Sequence, residues 1–147
     1  MYRMRPKQKA YDRHLKKTGE FGCPFCEIDD PKLNPQGTNI LEETEHCLVI
    51  ENIFSYDAWE GRKVTEHLLA IPKRHTHSLG DLTPEERVEM MDLFCKYEAA
   101  DYNMYSRAPG SGARSHVHLH THFIKTAGGP PRHLTYTRKP YSLIINW

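Results

Sequence analysis

No run of this chain is apolar for long enough to cross a bilayer, and its first residues carry charges throughout instead of the uncharged stretch of a signal sequence. The expectation is a cytoplasmic protein with no membrane partner. An excess of charge of one sign is also missing: the formal net charge is +1, which removes any global electrostatic argument for nucleic acid or membrane binding. Cysteine is scarce, four in all, and only Cys23 and Cys26 are neighbours, while Cys47 and Cys95 are solitary. In a reducing compartment that excludes a disulfide framework and leaves one C-x-x-C site. Internal repeats and low-complexity runs are absent. The remaining composition, 38% hydrophobic and 27% charged over 147 residues, suits one folded domain.

The charge is uneven, however. Residues 1–17 hold Arg3, Arg5, Lys7, Lys9, Arg13, Lys16 and Lys17 against the single acid Asp12. The expectation is a solvated basic arm over 1–19, with a short helix ended by Gly19 and able to touch an anionic partner such as nucleic acid.

What the chain does have is histidine, ten in all, with four at alternate positions in His116-Val117-His118-Leu119-His120-Thr121-His122. Side chains alternate along a strand, so the spacing predicts a half-buried strand over residues 115–125. The four imidazoles would share one face, with Val117, Leu119, Thr121 and Phe123 on the other. Imidazole changes charge near neutral pH, so such a row is costly unless it shares a metal, meets a phosphate or tunes mutual reactivity. A solvated face or a surface metal patch is the bland alternative, and the strict repeat weighs against it.

The rest reads as hairpins and one helix. Residues 39–43 and 46–52 form two strands around Thr44-Glu45, residues 53–63 a long loop, and residues 64–71 a third strand stopped by Pro72. Thr83-Pro84-Glu85-Glu86 is a capping box opening a helix to about Asp101, with Val88, Met91, Cys95, Ala99 and Tyr102 as its apolar stripe and Phe94 beside them. Residues 103–106 add a strand, and residues 141–147 are apolar enough to dock as a last one. The sum is an α+β fold with an antiparallel sheet.

Two stretches together, His67-Leu68-Leu69-Ala70-Ile71-Pro72-Lys73-Arg74-His75 and the histidine row, resemble the histidine triad (HIT) family of nucleotide hydrolases and transferases. The family pattern is His-φ-His-φ-His-φ-φ, with φ apolar. The resemblance covers about residues 23–125 and implies a HIT-like sheet of about five strands with one long helix and a short N-terminal helix. The catalytic domain would span 20–127, between the basic arm and a C-terminal extension, 128–147, packed on it. Four histidines allow two registers. Starting at His118 places Phe123 and Ile124 at the closing apolar positions and Ser115 at the family's serine position.

In that register the resemblance makes His120 the nucleophile at the α-phosphate of a nucleotide conjugate, with His122 and Ser115 holding phosphate oxygens and His67 lining the site. Imidazole is neutral and nucleophilic near pH 7, which suits a covalent nucleotidyl-histidine. Asn52 stands where many members carry a ribose-binding Asp, Arg114 where they carry Gln, and Arg107 at the loop Asn. All three are expected to bind nucleotide, the arginines by charge and bidentate geometry. Simple alternation from His118 would turn Ser115 away, so the backbone must leave strand geometry near His116, for instance at a bulge.

The zinc-bearing branch of the family adds Cys23, Cys26, His75 and His118 as a closed tetrahedral set for structural Zn2+. A redox dithiol resembling glutaredoxin-like proteins is the rival for Cys23-Pro24-Phe25-Cys26, although those motifs join a strand to a helix. The resemblance also implies a homodimer. The remaining alternative is a catalytically weak nucleotide or nucleic-acid binding module with structural zinc. His14, His46, His77 and His133 are expected at the surface.

Overall fold

Cys47-Leu48-Val49-Ile50 is a short apolar run too brief for a helix, and it forms a strand buried on both faces. In the computed structural model, which describes residues 3–130, 133–137 and 142–146, this strand (β2, Cys47–Glu51) pairs antiparallel with β1 (Ile40–Glu43) and β4 (Arg62–Pro72). β4 pairs with β6 (Thr121–Ala127), and β6 with β5 (Asn103–Ser106). The order is β1-β2-β4-β6-β5, with β3 (Ala58–Trp59) adding a sixth strand beside β4. That sixth strand lies in the stretch expected to be loop. Glu60 (φ 47°) and Gly61 (φ 70°) both take the left-handed conformation that a two-residue hairpin turn demands.

The sheet has two covered faces. Cys47, Val49, Leu68, Ala70 and Phe123 pack against Met90 and Leu93 of helix α2 (Pro84–Ala99). Phe123, fully buried, stacks on Tyr97 at 4.8 Å and meets Phe94 edge-on at 5.8 Å, so truncating it to alanine is worth about 3 kcal/mol or more. Leu48, Ile50, Leu69 and Ile71 point the other way, against Phe25 and Ile28 of the N-terminal knuckle. Leu69 lies opposite His122 in the β4–β6 register, so His67 and His122 share this second face.

The capping box of α2 forms as expected: Glu86 N donates to Thr83 Oγ1 (3.2 Å) and Thr83 N to Glu86 Oε2 (2.8 Å). The buried stripe is not the expected one. Glu86, Met90 and Leu93 are inside, while Val88 and Met91 are 62% and 57% exposed and Cys95 is exposed. A carboxylate hid the true track from a periodicity reading. Glu86 can sit inside because Arg74 donates to it from Nε (2.9 Å) and Nη2 (2.7 Å).

Two terminal expectations also change. Helix α1 (Arg5–Phe21) runs 17 residues, past Gly19, and is one residue longer than α2. At the other end β7 (His133–Thr137) and β8 (Ser142–Asn146) pair with each other in a sheet of their own, so the terminal strand does not extend the main sheet. Tyr141 and Trp147 lie outside the described residues.

The entry to β2 is tied to α2 by Glu89, which accepts from Thr44 Oγ1 (2.5 Å), His46 N (2.9 Å) and His46 Nδ1 (2.8 Å). These bonds, Thr44 first and then His46, hold the Glu89 carboxyl down at about 2, and Glu89 raises His46. The lowered carboxyl stabilises above its ordinary pKa of 4.5 and loses that contribution as pH falls toward 2. The raised imidazole stabilises below its ordinary 6.5 and loses its contribution as pH rises through the raised value. The gap in denaturation midpoint between wild type and His46→Ala is therefore greatest at about pH 5.5 and shrinks toward both ends. A gap that does not change with pH removes the ion pair from the account.

Candidate functional site

The strand predicted over 115–125 begins only at Thr121. Before it, residues 116–120 follow an irregular path because their backbone groups bond elsewhere. Leu119 N donates to Thr76 O (2.7 Å), and Arg114 donates to His116 O (3.0 Å), Val117 O (2.6 Å) and His77 O (2.6 Å). The four imidazoles consequently do not share one face. His118 turns toward the knuckle, while His116, His120 and His122 line a cavity of about 750 Å³.

The knuckle is a built turn. Cys26 N and Glu27 N both donate to Cys23 O at 3.1 Å, and the buried Asn34 donates to Pro24 O (3.0 Å), Glu27 O (3.1 Å) and Ile28 O (3.2 Å). It brings Cys23 and Cys26 to His75 and His118, with ligand atoms all within 4.8 Å of one another. Cys26 Sγ is 3.1 Å from His75 Nδ1 and 3.4 Å from His118 Nδ1, and Cys23 Sγ is 3.4 Å from His118 Nδ1. A tetrahedral ion with ordinary zinc bond lengths sets S···N edges of about 3.6 Å, so the set has the size of a metal site. Its donors fit too. His118 Nε2 donates to Pro72 O (2.8 Å), a group that only accepts, which leaves the Nδ1 lone pair facing the sulfurs. Without a metal, burial and the Cys23 contacts push the Cys26 thiol up to about 11.

The same reasoning assigns the other rings. His120 Nδ1 lies 2.8 Å from His118 O, so Nδ1 carries the proton and Nε2 keeps its lone pair. Tyr56 N donates to His67 Nδ1 (3.1 Å), which forces the His67 proton onto Nε2. That proton faces His122 Nδ1 at 2.8 Å, so His122 must carry its own on Nε2. The cavity thus receives a lone pair from His120 and an N–H from His122. Burial keeps the rings neutral: it is the first cause lowering His120, His122 well below its ordinary value, and His67 to about 3.

Ser115 is exposed, lines the cavity and stands beside the Tyr11 hydroxyl, so the departure from strand geometry that its expected role requires is present. Arg107 lines the cavity with its guanidinium over the Tyr105 ring at 5.4 Å. Asn52 also lines it, but its Oδ1 accepts from Phe54 N (2.9 Å) and its Nδ2 sits 3.1 Å from His67 Nε2. Arg114, also expected to bind nucleotide, does not line the cavity: its Nε and Nη2 donate to three backbone carbonyls, which shapes the loop before His118.

Sequence reasoning missed several walls. Tyr105 stacks on His122 at 4.3 Å with an interplanar angle of 2°, and its hydroxyl meets that of Tyr56 at 2.7 Å. His14, expected at the surface, packs on Phe54 at 4.8 Å and lines the cavity with Arg3 and Tyr11 of the arm. No spacing could signal these, since each comes from a loop, a short strand or a helix distant in sequence.

No protein-family model and no curated protein matches the chain. Solved structures do. A HIT family protein from Bacillus anthracis is 25% identical with a TM-score of 0.55, covering 74% of this chain and 75% of that one. A HIT family hydrolase from Clostridium thermocellum is 19% identical, TM-score 0.54, covering 76% and 96%. A hypothetical histidine triad nucleotide-binding protein from Sulfolobus tokodaii is 21% identical, TM-score 0.53, covering 82% and 80%. The chain has the fold of HIT family proteins.

Proposed function

We propose that this chain is a HIT-type enzyme that cleaves a nucleotide conjugate at its α-phosphate through a covalent nucleotidyl-histidine. The observation that carries this reading is the His120 tautomer: with Nδ1–H bound to the His118 carbonyl, Nε2 presents a lone pair to the cavity. Nε2 attacks the α-phosphorus as the bond to the leaving group breaks; a phosphate leaving group departs as its anion, and an amine departs with a proton taken from water. Water then attacks the same phosphorus, releasing the nucleoside monophosphate and returning His120. The His122 N–H and the Ser115 hydroxyl hold the phosphoryl oxygens as charge develops. Asn52 and Arg107 complete the nucleotide contacts, and His67 acts through His122.

The metal in this reading is structural Zn2+, bound by Cys23, Cys26, His75 and His118. Two thiolates and two imidazoles close the coordination sphere, so the ion supplies no open position for chemistry and pins the knuckle to the loop before His120. Such sites contribute on the order of 10 kcal/mol to folding. The glutaredoxin-like alternative is disfavoured because two histidines converge on the pair. A homodimer is part of the same proposal, and the exposed Val88 and Met91 on α2 offer it apolar surface.

Metal analysis of the purified protein should find one zinc per chain, retained in His120→Ala and lost in Cys26→Ala. Zinc that follows His120 instead moves the metal site into the cavity. AMP release from adenosine phosphoramidate and diadenosine polyphosphate should fall at least about a thousandfold in folded, zinc-loaded His120→Ala, since the covalent path is removed. Turnover that persists without His120 sinks the proposed nucleophile, and wild type inert on every conjugate returns the chain to a binding role.

A further inference from the structure

The HIT resemblance leaves residues 1–17 without a role, yet the structure brings their charge to the cavity. The start of α1 is latched by Asp57, whose Oδ2 accepts from Met4 N (2.6 Å) and whose Oδ1 accepts from Lys7 Nζ (2.6 Å). The latch holds Arg3. Its Nε donates to Phe54 O (2.6 Å), and its guanidinium lies over the Tyr11 ring at 4.0 Å and the Tyr56 ring at 4.4 Å. A planar cation held against two aromatic rings has one orientation and keeps its remaining donors.

Tyr56 links this cation to the reacting centre. Its hydroxyl meets Tyr105, which stacks on His122, and Arg107 lies over Tyr105. Two guanidiniums therefore stand on the two tyrosines beside His122, and both are near enough to disfavour its protonation. Arg5 and Lys9, one helical turn apart, add charge at the cavity lining, so that with Arg3 and Arg107 four cations line it against two acids, Asp12 and Glu51. This is more positive charge than one α-phosphate, singly ionised in a conjugate, calls for.

We propose that Arg3, carried in by the docked arm, joins Arg107 in binding phosphates of the leaving group, so that the preferred conjugate is one whose leaving group is itself a phosphate chain or phosphate-terminated. This rests on the nucleotidyl-histidine reading and sharpens it. An amine leaving group brings no negative charge to match the two guanidiniums, whereas phosphate offers bidentate acceptors to each. Arg3 is a specificity-determining residue here, and Asp57 is a positioning residue that acts through it. A polyphosphate bridging two nucleosides and the 5′-phosphate of an adenylylated nucleic-acid end present the same chemistry.

The test is equilibrium binding to the full-length, zinc-loaded His120→Ala protein, with and without Arg3→Ala, using diadenosine tetraphosphate, a 5′-adenylylated oligonucleotide and adenosine phosphoramidate. Arg3→Ala should weaken the two phosphate-bearing ligands at least about tenfold, the loss typical of a charge-assisted contact, and the phosphoramidate less than about twofold. Asp57→Asn, which leaves Arg3 in place but loosens the latch, should give the same pattern at smaller size. Further loss confined to the oligonucleotide on Arg5→Gln/Lys9→Gln supports the proposal with nucleic acid as the source, and its absence supports it with the small polyphosphate. Equal losses on all three ligands, or none, overturn it. Failure of the parent to bind any of them overturns the nucleotide reading itself.

Discussion

His118 is held at three atoms, and the site depends on all of them. Its Nε2–H is bound by the Pro72 carbonyl at the end of β4, its Nδ1 faces the thiols of the knuckle, and its own carbonyl accepts the proton of His120 Nδ1. One residue thereby ties the sheet, the Cys/His cluster and His120 together. It also removes residues 116–120 from the ladder that the alternating sequence invites, since their bonding groups are satisfied by other partners. A regular strand would have aimed His118 and His120 at the same side; the irregular path sends His118 to the knuckle and His120 to the cavity.

The second constraint is a chain of protons without a carboxylate. The Tyr56 amide sets the tautomer of His67, His67 sets that of His122, and the outcome is an N–H on the cavity side of His122. The arrangement works only while His67 and His122 are neutral, because a second proton on either would put two donors face to face. Burial provides that: His67 is 3% exposed and His120 and His122 are each 6% exposed. The same dry surroundings strengthen the hydrogen bonds that these rings make, so the burial that suppresses protonation also raises the value of the donors.

How far this was legible in the sequence follows from the range of each interaction. The hairpin of β1 and β2, the strand at Asn103–Ser106 and the capping box of α2 are local, and patterning located them. The convergence of Cys23, Cys26, His75 and His118 was legible through a resemblance, these residues being separated by up to 95 positions but carried in short motifs. The buried stripe of α2 was misread because Glu86 looks like a surface residue until Arg74 is brought beside it. The position of Arg114 outside the cavity was not legible because nothing local says that a guanidinium will be taken up by carbonyls. Tyr56 was read only as part of a loop and Tyr105 only as part of a strand, since an aromatic in either carries no period that points to a site.

The arm was misread for a related reason, and its physics bears on how the cavity is completed. α1 has no acid in its first turn and no base in its last, so its own charges oppose its dipole at the N-terminus and do nothing for it at the other end. An isolated helix of 17 residues with that pattern is marginal in water. What it lacks is supplied from outside: Asp57, from the loop before β3, places a carboxylate at the helix start and accepts the Met4 amide, as an N-terminal cap would. Helix formation and docking are therefore one event. Because docking also seats Arg3 on Tyr56, any ligand that engages Arg3 in the docked arm favours the folded helix, and the helix favours that ligand by the same free energy. The arm is a separable segment in sequence and a conditional wall of the cavity in the fold.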